Sequence, residues 1–162
     1  VVRAITPVEA ALAVAVGGSV LAAMLPAFLE NLHASALVEP LAGLQRIAGR
    51  ACALAAGRAV TDAFPATVGL TPAKVPRGER VVDPPGTWSH PTWLELGFEP
   101  PAPHAFSFGF TSEHGTALAT FRAYAQGDLD GDGSLSTFAI VGASAEGRAP
   151  FVQPLEMHRE VE

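Results

Sequence analysis

Ala10-Ala11-Leu12-Ala13-Val14-Ala15-Val16-Gly17-Gly18-Ser19-Val20-Leu21-Ala22-Ala23-Met24-Leu25-Pro26-Ala27-Phe28-Leu29 is a run of twenty residues without a charge, enclosed by Glu9 and Glu30. As a helix rising about 1.5 Å per residue it spans roughly 30 Å, the thickness of a bilayer's hydrocarbon core. A secretory signal core is shorter, about 7 to 15 residues, so the run reads as a retained segment. Seven alanines, two glycines and a serine make it less apolar than a leucine-rich anchor and suit it to close packing against other helices.

Upstream lies one basic residue, Arg3, and the positive-inside rule then places the N-terminus in the cytoplasm and everything after Glu30 outside. The expected localisation is an inner membrane crossed once, N-terminus in and C-terminus out. Downstream, residues 31–64 turn amphipathic. Leu37, Leu41, Leu44, Ile47, Ala48, Ala51 and Ala55 recur at helical spacing, while Gln45, Arg46, Arg50 and Arg58 fall elsewhere. Glu39-Pro40 predicts a kink and Asp62-Ala63-Phe64-Pro65 a stop.

Residues 65–103 are rich in proline and carry both tryptophans, Trp88 and Trp93. With Leu94, Leu96 and Phe98 they are too apolar for a solvated linker, and a helical turn over 91–96 is expected to pack them on a core. From 104 to the end the period changes to two. Phe106, Phe108 and Phe110 alternate on a first strand, 116–125 and 135–141 read as two more, and a short edge strand follows Phe151, interrupted by Pro154. The expected fold class is therefore α+β: a long N-terminal helix, membrane-length in its first half (residues 1–30), and a head domain over 31–162 with a small antiparallel sheet.

The segment Ile5-Thr6-Pro7-Val8-Glu9, with Gly18 inside the apolar run and Pro26 near its end, resembles the start of the type IV pilin and pseudopilin family. Thr6, Val8 and Glu9 match the family pattern directly. Ile5 stands at its aromatic position, Ala4 where Gly is usual and Pro7 where Leu is usual. The resemblance implies processing between Ala4 and Ile5, and assembly through Val8, Glu9, Gly18 and Pro26, with the Glu9 carboxylate meeting a neighbouring subunit's terminal amine. A charge facing lipid costs about 2.5 to 3.5 kcal/mol, so Glu9 needs such a partner or a place at the headgroup level beside Arg3. The implied product is a helical surface filament of identical subunits, taken from the inner membrane by pilus or secretion machinery. A type II secretion pseudopilin, or a membrane-anchored monomer that binds calcium or mediates adhesion, is the alternative.

Asp128-Leu129-Asp130-Gly131-Asp132-Gly133-Ser134-Leu135-Ser136 is the sequence's one ion-site pattern. Carboxylates at alternate positions, Gly at the sixth, an apolar eighth and Ser at the ninth follow the EF-hand calcium loop, but the twelfth position is Ala139 and not glutamate. Ca²⁺ held by Asp128, Asp130, Asp132, Ser134 and Ser136 is one reading. A solvated hairpin loop built on Asx-turns fits the same residues.

Other chemistry is thin. Cys52 is the single cysteine, so no intrachain disulfide forms. His33, His90, His104, His114 and His158 have no metal-ligand spacing, and no serine sits in a nucleophile elbow, so no enzyme is expected. Ten basic against sixteen acidic residues, net −6, disfavour nonspecific nucleic-acid binding. The cluster Lys74, Arg77 and Arg80 reads as a solvated loop, with contact to DNA or polysaccharide as the alternative.

Overall fold

A computed structural model describes residues 37–158 of the chain. The first helix, α1, covers residues 37–55. It is helical through Glu39-Pro40, since proline's fixed φ is helical and only one N–H is lost. It ends at Ala55, earlier than the predicted stop, because Gly57 and Arg58 close tighter turns onto Leu54 and Ala55. A 3-10 turn, Val60–Asp62, then leads to Pro65.

Leu44, Ile47, Ala48, Ala51 and Ala55 form the buried stripe of α1. Each fully buried Leu or Ile contributes about 1.5–3 kcal/mol relative to exposure. The stripe lies on a sheet whose strands are β1 (Val68–Thr71), β2 (Ser107–His114), β3 (Leu118–Gly127), β4 (Ser136–Ala145), β5 (Phe151–Val152) and β6 (Glu156–His158). Five strands stand in chain order, β1-β2-β3-β4-β5, each antiparallel to its neighbour, and β6 also pairs with β4. Register follows the pleat. Phe108, Ala125 and Phe138 share one row, Phe110, Ala123 and Ile140 the next, and all six are buried. The helix approaches so closely that a Cβ on Gly43 would lie 2.5 Å from the Phe108 ring.

The proline-rich segment supplies β1 and a second helix, α2 (Pro91–Leu96). His90 caps α2 by accepting the Thr92 N–H, Pro91 opens it, and Gly97 ends it at φ 57°. Trp88, Trp93, Phe98 and Phe108 cluster edge-on or tilted, with centroids 5.0–6.4 Å apart. The indoles are satisfied too, Trp88 donating to Asp83 at 2.7 Å and Trp93 to Thr71 at 2.9 Å. Leu94, expected in the core, is 67% exposed because α2 buries Thr92, Trp93 and Leu96 and Leu94 lies on its opposite face.

The expected fold class is corrected. Among the described residues α1, at 19 residues, is the one helix of seven or more, and the surrounding structure is mostly β, with no long N-terminal helix. The expected inner-membrane localisation is corrected likewise, since no helix among the described residues is long and apolar enough to cross a membrane. The physical reason is composition: Glu39, Arg46 and Arg50 interrupt α1, which is built to cover a sheet. The run 10–29 and the assembly residues Val8, Glu9, Gly18 and Pro26, with Ala4 and Ile5, lie outside the described residues.

Candidate metal site

β3 and β4 pair in register as far as Gly127 and Ser136, and the loop between them carries the aspartates. Asp128 is 2% exposed, at the end of β3. Its backbone is tied to the proline-rich segment: Gly78 N–H donates to the Asp128 carbonyl at 2.7 Å, and Gly78, at φ 63°, lies beside Gly131. Arg77 Nε lies 3.9 Å from Asp128 Oδ2.

Each aspartate folds the loop around itself. Asp128 Oδ1 accepts the Gly131 N–H at 2.8 Å and Oδ2 the Gly133 N–H at 3.1 Å, so both ends of the buried carboxylate are satisfied by backbone. Asp130 Oδ1 accepts from Asp132 N–H at 3.1 Å. Asp132 accepts the Ser134 N–H at 2.6 Å and its hydroxyl at 3.3 Å. Those two donors, the backbone one foremost, hold the Asp132 carboxyl below the usual carboxylate range. Gly131 and Gly133 have φ of 81° and 94°, which spares the turns the strain a side chain would bring.

One oxygen from each of Asp128, Asp130 and Asp132 lies within 4.8 Å of the others. Three hard, anionic oxygen donors at that separation fit Ca²⁺ better than a soft or imidazole-seeking metal. Ser134 spends its hydroxyl on Asp132, and Ser136 begins β4 opposite Gly127. Ala139, where the EF-hand pattern has its bidentate carboxylate, is buried inside β4 beside Tyr124. The strand therefore leaves the loop too early to supply a twelfth-position ligand.

Two members of the basic cluster, Arg77 and Arg80, are engaged. Arg80 pairs with Glu39 of α1 at 2.7 Å and donates to the Pro103 carbonyl, and Arg77 faces Asp128. Sequence reading missed this strapping of the aspartate loop by residues 77 and 78, and its only trace is the glycine at 78, φ 63°. Cys52 is unpaired and half-buried, and burial pushes its thiol up. A cleft of about 640 Å³ between the end of α1 and the β4–β5 turn is lined by Arg58, Thr61, Thr116, Ser144, Glu146 and Arg148. It holds no histidine or cysteine, and Arg58 is paired with Glu95. Comparison with protein-family models, with curated proteins and with solved structures found no match.

Proposed function

We propose that this chain is a non-catalytic structural subunit of a pilus-like helical filament, assembled from copies of itself, whose head domain is braced by Ca²⁺ at the aspartate loop. The observation that carries the proposal is α1 lying flat on a consecutive antiparallel sheet, downstream in the chain of the pilin-like run Ile5-Thr6-Pro7-Val8-Glu9. One helix mounted on one face suits a head carried outward on a filament. Val8, Glu9, Gly18 and Pro26 are the assembly residues of this reading, and head-to-tail contacts between identical subunits extend without closing.

Asp128, Asp130 and Asp132 would hold the ion, which neutralises carboxylates that otherwise repel one another across a hairpin. Electron microscopy of sheared or purified material, with mass spectrometry of its subunit, tests the proposal. Filaments containing this chain are expected, and a Glu9→Ala chain is expected to assemble poorly. Protein that stays monomeric under conditions where it is folded overturns the filament. The aspartate loop favours a second reading for that outcome, a monomeric calcium-binding or adhesion module.

A further inference from the structure

We propose that the Ser107 hydroxyl, from β2, is a further ligand of the cation at the aspartate loop, an inference that rests on the calcium reading above. Ser107 is fully buried, and among the described residues its Oγ has no hydrogen-bond partner. Taking a hydroxyl out of water without giving it a partner is costly, and few such groups persist in a folded protein. Gln126, directly opposite on β3, donates its amide to Thr137 at 3.3 Å and so does not answer the serine. This orphan hydroxyl is independent of the turns that the aspartates make within their own loop.

The register places it beside the loop. Alternate residues of a strand share a face. Phe106 lies on the α1 side, where its ring meets Phe138 and would crowd any side chain at Gly127. Ser107 and Gln126 are paired on the opposite side, and Asp128 follows Gln126 by two residues. Ser107 and Asp128 are thus diagonal neighbours across β2 and β3, with backbones about 7–8 Å apart and side chains closer. An ion that holds each ligand at about 2.3–2.6 Å joins oxygens up to about 5 Å apart, a separation too wide for a hydrogen bond.

The chemistry suits the shortfall in the loop. Asp128 is the buried carboxylate, and after accepting the Gly131 and Gly133 N–H groups each of its oxygens keeps a lone pair for a metal. Asp130 and Asp132 are exposed, on the solvent side. The ligand that an EF-hand takes from its twelfth position is missing, because Ala139 is buried in β4. A hydroxyl from the neighbouring strand adds an oxygen without adding a fourth negative charge, which matches a weak site.

Calorimetric titration of the full chain with Ca²⁺ tests this. Ser107→Ala is expected to raise the dissociation constant about tenfold while the folded state is kept, since only one buried atom is removed. Ser107→Cys is expected to lose Ca²⁺ in the same way and to bind Cd²⁺ more tightly than Ser107→Ala does, because a thiolate selects a soft metal. A Ser107→Ala chain that binds Ca²⁺ as tightly as a calcium-binding parent overturns the role of Ser107 and leaves the calcium reading standing. A Ser107→Cys chain with no gain in Cd²⁺ affinity over Ser107→Ala also overturns it. A parent that binds no Ca²⁺ overturns both.

Discussion

The proline-rich segment and the aspartate loop are both irregular, and they settle buried charge in opposite ways. In the first, Asp83 bonds the ring of His104 and the indole of Trp88, and Arg80 pairs with Glu39 of α1. In the second, the buried Asp128 is satisfied by backbone N–H groups of its own loop, with Arg77 at the edge of ion-pair distance. The first loop is closed by side chains from other elements. The second is folded by its own carboxylates onto its own backbone, is strapped at one end by Gly78, and brings one oxygen from each of three aspartates within 4.8 Å of the others.

Trp93→Ala breaks the first loop most severely. It removes a fully buried indole, its bond to Thr71 and two aromatic contacts, and is expected to cost about 3–5 kcal/mol in a denaturant titration. A loss below about 1 kcal/mol would make the segment a linker after all.

Asp128→Ala strikes the second loop, leaving the Gly131 and Gly133 N–H groups without their acceptor. The expected loss is about 2–3 kcal/mol, again by denaturant. The same variant should not disturb hydrogen-exchange protection at Val81, because its bridge to His104 belongs to the other loop.

Calcium sharpens the contrast further. A weak site saturated to about 100 times its dissociation constant stabilises by about 2.7 kcal/mol. Thermal denaturation is expected to shift upward with Ca²⁺ and return with EGTA, while Asp130→Asn and Asp132→Asn reduce the shift. Identical curves with and without the ion would leave the loop as a set of Asx-turns.

The smallest effect is electrostatic. Ser134 lowers Asp132 in the folded protein, so its contribution is present above the unfolded value of about 3.9 and is lost as pH falls through the lower folded value. An NMR titration is expected to place Asp132 below that value, and Ser134→Ala, which removes only the hydroxyl, to bring it part of the way back.

The comparison also explains what was legible. Residues 128–136 announced a turn and a carboxylate cluster because each glycine and aspartate there acts within a few residues of itself. The alternation of Phe106, Phe108 and Phe110 similarly announced β2, and the apolar residues around Pro91 announced the turn that became α2. Strand β1 was not legible. Val68–Thr71 is four residues inside a proline-rich stretch and owes its strand conformation to pairing with β2. Nor was the partner of His104 or of Arg80, since Asp83 and Glu39 stand 21 and 41 positions away in the chain.

By itself the sequence determined the local periods: the apolar stripe of α1, the two-residue alternation of the strands, and a loop able to gather carboxylates. Those follow from backbone geometry and from residues close in the chain. Only the tertiary structure decided that α1 is a short covering helix on a mostly β domain, that Gly78 straps the aspartate loop, and that His104 is buried against Asp83. Packing decides such matters, because which apolar face is covered, and which charge meets which, depends on surfaces brought together from distant parts of the chain.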